Sequence, residues 1–203
     1  MTSKIRATLF IFFALLALIG SASASMVLPL GLDRLHGDAK LVFLGECLSN
    51  SVEFDQQSNR VVTYTTFEAI ETYKGKAGGS LTIKQIGGNL PEANLSVRIP
   101  GVPQFEVGQR YVVFLPPASK LGFSSPVGLS QGKFMVNTDA AGAQMVSNGR
   151  DVGELMENMA QSKMPSRVAD KLRAMPDKEK PANAKARAEM HLDDLRSILR
   201  GMK

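Results

Sequence analysis

The side chains best suited to covalent chemistry are few, because the chain contains one cysteine, Cys47, and two histidines, His36 and His191. A cysteine nucleophile needs a nearby base that takes its proton. Cys47 lies in an apolar, strand-like segment, where a free cysteine usually behaves as a small buried hydrophobe. His36 falls in a predicted loop, and His191 flanks an apolar helical stripe. We expect a buried structural thiol, with a nucleophile or an intermolecular disulfide as the alternatives.

Carboxylate pairs are the other candidates for acid–base or metal chemistry. Glu68 and Glu71 occupy a predicted strand, on which residues three apart point to opposite faces, so they should not converge on one ion. Asp193 and Asp194 lie on the predicted polar face of a helix. No His-Glu-x-x-His segment is present, and one cysteine with two histidines cannot complete a closed zinc site. We expect solvated carboxylates, no catalytic residues, no metal and no cofactor.

Two further patterns admit a nucleotide or nucleic-acid interpretation. Gly87-Gly88 could begin a phosphate loop, but no Gly-Lys-Ser/Thr follows, so a turn is expected. Aromatic side chains could form a base-stacking platform or part of a core. The net charge of +5 is spread thinly and builds no cationic groove, so we expect core packing and no nucleic-acid partner. The aromatic residues concerned are Tyr64, Phe67, Tyr111, Phe114 and Phe134.

The N-terminus resembles a targeting segment. Two basic residues precede an apolar run at Ala7–Ile19, which is shorter than the roughly 20 residues that cross a bilayer. Small residues at Ala22 and Ala24 then fit a signal peptidase, which predicts cleavage between Ala24 and Ser25. We expect a signal peptide at 1–24 and a secreted or periplasmic protein with no stable membrane anchor after cleavage. The alternative is an uncleaved N-terminal anchor.

A β-rich domain is predicted for residues 25–150. Hydrophobic residues make up 44% of the chain and charged residues 21%, which excludes wholesale disorder and a multi-pass membrane protein. Short apolar or alternating segments, separated by Gly and Pro, predict five or six strands and a small antiparallel OB-like barrel. These segments are Leu41–Cys47, Arg60–Thr72, Leu81–Ile86, Tyr111–Leu115, Lys133–Val136 and Ala143–Val146.

The remaining chain has helical spacing, which makes the predicted fold mainly β with an α-helical C-terminal tail of two or three helices. Residues 151–175 should form short helices on or near the barrel, the first of them capped by Asp151. A charged linker is predicted at 176–183, and an amphipathic helix at 184–203. Because the linker separates this last helix from the barrel, we expect it to be mobile or to bind a partner.

The β-rich region resembles a family of exported bacterial proteins with an OB-like barrel, distantly similar to the netrin-like module of tissue inhibitors of metalloproteinases. The resemblance depends on the order of several segments rather than on any one of them. It covers roughly half of the chain. The segments are LVFLGEC at Leu41–Cys47, TYTTFEAIETYKG at Thr63–Gly75, the Gly87-Gly88 pair with Pro100–Phe105, VGQRYVVFL at Val107–Leu115, and GLSQGKFMV at Gly128–Val136.

What the resemblance implies about function is a barrel whose loops or open face hold a protein partner. Tissue inhibitors block a protease zinc with an N-terminal Cys-x-Cys, whereas this chain would begin at Ser25 and has only Cys47, so that mechanism cannot be carried over. We expect an exported, non-enzymatic protein-binding module, with an extracellular or periplasmic protease as a candidate partner. The alternative is a hydrolase that uses a carboxylate and a backbone oxyanion hole. Partner identity and oligomeric state stay open.

Overall fold

The computed structural model of the chain describes residues 28–157, 159, 164–174 and 188–202. The predicted signal peptide at 1–24, its cleavage position between Ala24 and Ser25, and the charged linker at 176–183 lie outside the described residues. The first four residues of the predicted final helix, 184–187, also lie outside them. The whole β-rich region lies within them from residue 28 onward.

The fold is mainly β with a C-terminal helix, as the sequence predicts. Each of the six predicted strands is present, and several extend further than predicted because alternation continues into polar residues. Three short strands were not predicted, since two or three residues carry too little pattern. The strands are Leu41–Asp55 (β1), Arg60–Lys74 (β2), Ser80–Ile86 (β3), Gly88–Leu90 (β4), Leu95–Val97 (β5), Arg110–Leu115 (β6), Lys133–Thr138 (β7), Gln144–Ser147 (β8) and Met190–His191 (β9).

Seven of these strands form one antiparallel sheet in the order β3-β2-β1-β6-β7-β8-β9, and β4 pairs with β5 in a separate hairpin. Within the described ranges, no ladder joins the two edge strands β3 and β9. The closed barrel expected from the sequence is therefore not confirmed. Strand alternation predicts which residues face a core, but it does not determine whether the outermost strands meet.

The sheet buries apolar side chains on both faces, in two separate clusters. Val42 and Leu44 of β1 belong to the first cluster, which the helices cover. Phe43 and Cys47, on the opposite face of the same strand, belong to the second cluster. Because β1 lies between β2 and β6 and both of its faces are covered over its first half, Leu41–Cys47 is an almost continuous apolar run.

Four α-helices occur in the described part of the chain. The second begins after Asp151, whose carboxylate accepts hydrogen bonds from the backbone N–H groups of Gly153 and Glu154, as the capping pattern predicts. The first helix was not predicted. It has seven residues and no side-chain cap at Gly31, so the sequence signals that mark a helix start are missing. The helices are Leu32–Asp38 (α1), Val152–Leu155 (α2), Ser166–Ala174 (α3) and Leu192–Gly201 (α4).

The C-terminal helix differs from its prediction in two respects. Met190–His191 pairs with β8 as a strand, so α4 begins at Leu192. Leu195 and Leu199 are fully buried in the first cluster. The expectation of a mobile or partner-binding helix is therefore wrong. Strand β9 pairs with β8 immediately before α4 begins. The apolar residues of α4 therefore lie on the first cluster.

Candidate binding cleft

A cleft of about 220 Å³ opens on the second face of the sheet, between β1–β3 and the segment 97–105. Polar side chains form its floor, and Val52, Ile99 and Val102 supply apolar walls. The cleft adjoins the second cluster through Phe105, which lines the cleft and packs edge-to-face on Phe67. It is an open site with a polar floor beside an aromatic core.

Strand alternation places the floor. Thr65 lies two residues before Phe67 on β2, and Gln85 lies two residues after Ile83 on β3, so both share the face of the second cluster. Thr63 continues this row and pairs directly with Gln85. On this face, β2 changes from apolar Phe67 to polar Thr65, and β3 changes from apolar Ile83 to polar Gln85. The cleft begins at these polar residues.

Gly87 and Gly88 form one end of the cleft. Gly87 has a φ of +95°, a conformation that favours glycine, and its N–H donates to the carbonyl of Val61. A Cβ at Gly88 would lie 2.6 Å from Val52 Cγ1, so only glycine allows this approach. The positive φ that the sequence predicts for this glycine pair is present, but Gly87 links β3 to β4 and Gly88 begins β4, so the predicted turn is replaced by a link between two strands.

The floor holds the opposite wall in place by hydrogen bonds. Asn50 Nδ2 donates to the carbonyl of Phe105 at 2.7 Å, and Thr65 Oγ1 donates to Asn50 Oδ1 at 2.7 Å. Gln85 Nε2 donates to the carbonyl of Pro103 at 3.3 Å. The segment 97–105 has little regular structure, so these side chains fix its position. The cleft is therefore preformed.

Gln85 has unused hydrogen-bonding capacity. The residue is 3% exposed and lines the cleft. Its amide nitrogen is used by Pro103, which fixes the amide orientation, while no donor from the described residues reaches its carbonyl oxygen. Among the described residues, only His36 Nε2 and Ser58 Oγ are buried side-chain nitrogen or oxygen atoms without a partner, so the Gln85 oxygen is open to the solvent in the cleft. A ligand that brings an N–H or O–H donor into the cleft would satisfy it.

The cleft is poor in ionisable side chains. Among the described residues that line it, Arg98 is the only charged side chain, and no histidine, cysteine or carboxylate is present. The hydroxyl groups of Thr63 and Thr65 already donate to Gly87 and Asn50. A threonine nucleophile needs a base to take its proton, and none is adjacent.

The structure separates the predicted chemical side chains. Cys47 is fully buried in the second cluster, as expected, and burial raises the pKa of its thiol. His36 lies in helix α1, which corrects its predicted loop position, while His191 lies in β9. His36 is buried, its Nε2 has no partner, and burial lowers its pKa. No hydrogen bond within the described ranges joins either histidine to Cys47.

The carboxylates overturn one expectation. Glu71 lies opposite Leu44, and Glu68 lies opposite Glu46, two positions further along β1, so the two glutamates share a face. A bulge in β2 at this point adds one residue and reverses the alternation. Glu71 is not solvated but binds Arg196 of α4. Burial alone would raise the Glu71 pKa, yet hydrogen bonds, first among them that from Arg196, lower it.

Asp194 is also buried, with 5% of its surface exposed, rather than solvated as predicted. Its Oδ1 lies 3.3 Å from Nε of Arg167 on α3, so it joins the two C-terminal helices. Asp193, the neighbouring residue, remains exposed. Neither aspartate lines the cleft: Asp194 packs between α3 and α4, and Asp193 pairs with Arg196 on the surface of α4.

The aromatic residues behave as a core. Phe67, Tyr111, Phe114 and Phe134 are each at most 1% exposed, as the sequence predicts, whereas Tyr64 is only half-buried and belongs to neither cluster, which corrects its predicted core position. Phe105 was not predicted, yet it links Phe67 and Tyr111 in edge-to-face contacts with ring centroids 4.9 Å and 5.1 Å apart. Such buried rings leave no face on which a nucleic-acid base could stack.

The sequence expectations overlook one hydrolase-like match. Gly128-Leu129-Ser130-Gln131-Gly132 has the Gly-x-Ser-x-Gly spacing of a nucleophile elbow. An elbow joins a strand to a following helix, whereas this segment is a short 3-10 turn that precedes strand β7. Gln131 accepts from the backbone N–H of Leu30, and His36 Nε2 makes no hydrogen bond to Ser130.

Comparison with known proteins gives no assignment, since no family model matches the chain and no curated protein shows significant sequence similarity to it. In the described part of the chain, no helix has both the length and the apolar character needed to cross a membrane. Over the same residues, no group of three His, Cys, Asp or Glu side chains could hold a metal ion.

Proposed function

We propose that the protein is an exported, non-enzymatic binding module that holds a segment of a protein partner in the Gln85 cleft. The observation that carries the proposal is the Gln85 carbonyl oxygen, which belongs to a side chain that lines a preformed cleft, is open to solvent and has no donor from the described residues. A peptide backbone supplies N–H donors at regular intervals. A partner segment that places one N–H on this oxygen replaces solvent there by a direct hydrogen bond.

The size and polarity of the cleft favour a short peptide segment. At about 220 Å³ it is smaller than the pockets that usually enclose cofactors. Its walls are apolar at Val52 and Val102, and its rim carries the cation Arg98. A suitable segment has a small apolar side chain for the walls, an N–H for Gln85 and an acidic group near Arg98.

An OB-like, partly open barrel is the finer fold proposal, and contacts of β3 support it. The N–H of Ser124 donates to the carbonyl of Lys84 at 2.9 Å, and Phe123 forms an isolated parallel bridge with Lys84. Lys84 also lies 4.8 Å from the Phe123 ring centroid and 2.8 Å from Asp55 Oδ2. The segment after β6 thus reaches the β3 edge, as closure into a barrel requires.

Restraint of an extracellular or periplasmic protease is the proposed biological role. Its support is the resemblance to the netrin-like module together with a cleft that has no catalytic group, since such a site would hold a protease segment without cleaving it. Export rests on the Ala7–Ile19 run and the Ala24–Ser25 cleavage position in the sequence.

Site-specific photocrosslinking in the cell envelope tests the function. A photoreactive residue at Arg98 should capture one partner, whereas one at exposed Lys76, beside a different and wider cleft, should not. The Gln85→Met variant keeps the side-chain length but removes both the acceptor and the donor that holds Pro103, so capture at Arg98 should fall. Capture that is equal at both positions, or unchanged by Gln85→Met, would contradict the cleft. Cleavage of the captured partner would favour the hydrolase alternative.

A further inference from the structure

The second half of strand β1 has a strand partner on one side only. Strand β2 pairs with β1 to its last residue, whereas β6 covers the other side of β1 only as far as Glu46. Gly108 and Gln109 then hydrogen-bond to the backbone of Cys47. Beyond that point, no hydrogen bond from another backbone segment in the described part of the chain reaches this side of residues 48–54. This stretch is the free edge of β1.

The direction of its backbone groups follows from the neighbouring ladder. The carbonyl of Val61 accepts from the N–H of Gly87, so Val61 and, two residues on, Thr63 direct their backbone groups toward β3. Their partners on β1 are Phe54 and Val52. Residues opposite each other in an antiparallel pair belong to the same hydrogen-bonding class, so Phe54 and Val52 direct their N–H and C=O groups away from β2. Those groups are available to another strand.

The side chains of the free edge give it little protection against such pairing. Proteins usually block exposed strand edges with proline, lysine or a bulge. The free edge contains neither proline nor lysine, and the last register shift of β1 against β2 lies between Cys47 and Ser49. Leu48 and Phe54 are 45% and 46% exposed at its two ends. The free edge is therefore open to strand addition.

We propose that a second copy of the chain pairs antiparallel along the free edge, with a twofold axis at Ser51, and forms a symmetric dimer. This register brings Leu48 of one copy to Phe54 of the other, so that both exposed apolar side chains are covered. It also places Glu53 opposite Ser49 rather than opposite another carboxylate. Each of these contacts occurs twice, as an isologous interface requires.

The free edge is self-complementary, which favours a second copy over an unrelated peptide. The hydrogen bonds at Cys47 close it at one end, and the turn after Asp55 closes it at the other. Ser51 is the midpoint of the residues between these limits. Antiparallel pairing about Ser51 therefore uses the whole free edge, and it matches apolar with apolar positions and charged with uncharged ones.

Pairing at this edge would join the two sheets into one continuous sheet. Residues directly opposite on antiparallel strands share a face, so the cleft-lining side chains Asn50 and Val52 of both copies would lie on the same side of that sheet. The two Gln85 clefts would then open in the same direction. Binding of two segments of one partner there is the only part of the inference that rests on the proposed function.

Sedimentation equilibrium of the purified full chain at micromolar concentrations tests the dimer. The unmodified protein should sediment as a dimer in exchange with monomer. Ser51→Lys sets two like charges against each other at the twofold axis and should weaken dimerisation severalfold. Ser49→Lys adds the same charge two residues away, opposite Glu53 of the other copy, and is the matched control that should leave dimerisation unchanged or tighter. Thermal unfolding verifies that both variants are folded.

Two further measurements locate the contact. Ser51 directs its backbone groups toward β2, so it would meet its own copy in a pair without mutual hydrogen bonds, in which Cα atoms lie about 4.5 Å apart. That distance allows a disulfide, so Ser51→Cys should form a covalent dimer on oxidation and Ser49→Cys, which faces Glu53, should not. The Val52 amide should exchange with deuterium more slowly as the protein concentration rises.

The proposal is overturned if the protein remains monomeric throughout the micromolar range, or if Ser49→Lys and Ser51→Lys weaken dimerisation equally. A disulfide that forms as readily in Ser49→Cys as in Ser51→Cys would reject the register. Slow exchange of the Val52 amide in a monomer would show that another segment of the same chain covers the edge, which also contradicts the proposal. Species that grow beyond a dimer with concentration would show open-ended pairing in place of a twofold contact.

Discussion

Arg196 on the last helix and Glu71 on the second strand form an ion pair, with Nε of Arg196 2.8 Å from Oε2 of Glu71, across 125 residues of sequence. The side chains are only 26% and 21% exposed, so solvent screens the contact weakly. The other carboxylate oxygen of Glu71 accepts from Arg200 at 2.6 Å. One carboxylate therefore fastens helix α4 to the sheet at two points.

Replacing Glu71 by glutamine should lower the free energy of unfolding by about 1–3 kcal/mol. The substitution preserves the shape of the side chain but removes the charge that Arg196 and Arg200 share. Urea denaturation at pH 7 measures the change. Because hydrogen bonds lower the Glu71 pKa in the folded state, its contribution is present above the ordinary value of 4.5 and is lost as the pH falls through the lowered pKa.

Glu68→Gln is the matched control for that experiment. Glu68 is exposed and lies directly opposite Glu46, so its charge meets a like charge rather than an arginine. Its replacement should leave the stability unchanged or slightly raised. Equal losses in Glu68→Gln and Glu71→Gln would show that the contact with α4 contributes nothing.

Glu68 and Glu71 show which features of the strands can be predicted from the sequence and which cannot. Alternation predicted the strands correctly because their apolar residues face two cores. It placed Glu68 and Glu71 on opposite faces, since a bulge that reverses the alternation has no marker in the sequence around Ile70. The bulge position depends on how β1 and β2 pair, which is a tertiary property.

The cleft had a weak signal that could have been used. Leu81, Ile83 and Gln85 occupy the same face of β3, and a glutamine there interrupts an apolar row. An amide at a core-facing position needs partners, which points to a polar site. What the sequence could not supply is Pro103, whose carbonyl takes the amide nitrogen and leaves the oxygen free.

Helix α4 gives a second stability prediction. Leu195 is fully buried in the first cluster, so Leu195→Ala should lower the free energy of unfolding by about 2–5 kcal/mol. Ser197→Ala, at an exposed position on the same helix, should change little. Thermal or urea unfolding of both variants distinguishes a core helix from a mobile one. An unchanged Leu195→Ala midpoint would restore the sequence expectation that the helix is detached from the sheet.

The Cys47 thiol should be unreactive in the folded protein. It is fully buried, and burial raises its pKa, so little thiolate forms and reagents have no access. A maleimide should label the chain only after urea unfolding, with labelling followed by mass spectrometry. Rapid labelling of the folded monomer, or a disulfide-linked dimer on a non-reducing gel, would contradict the burial.

Protonation of His36 should destabilise the protein in mild acid. The residue is 7% exposed, its Nε2 has no partner, and burial followed by the charge of Lys74 lowers its pKa below the ordinary 6.5. The unfolded chain therefore binds a proton at a higher pH than the folded chain does. The stabilisation from neutral His36 is complete above about pH 6.5 and is lost as the pH falls toward the lowered pKa, by at most about 1.4 kcal/mol per pH unit.

Urea midpoints between pH 8 and pH 5 measure this effect with two matched variants. His36→Leu cannot titrate, so its midpoint should change less over this interval than that of the unmodified protein. His191→Asn removes the other histidine, which is half-buried at the sheet edge, and should keep the original pH dependence. Parallel curves for the unmodified protein and His36→Leu would show that another group is responsible. If the pH dependence of the urea midpoint disappears only in His191→Asn, the titrating group is His191 at the sheet edge rather than His36 in helix α1.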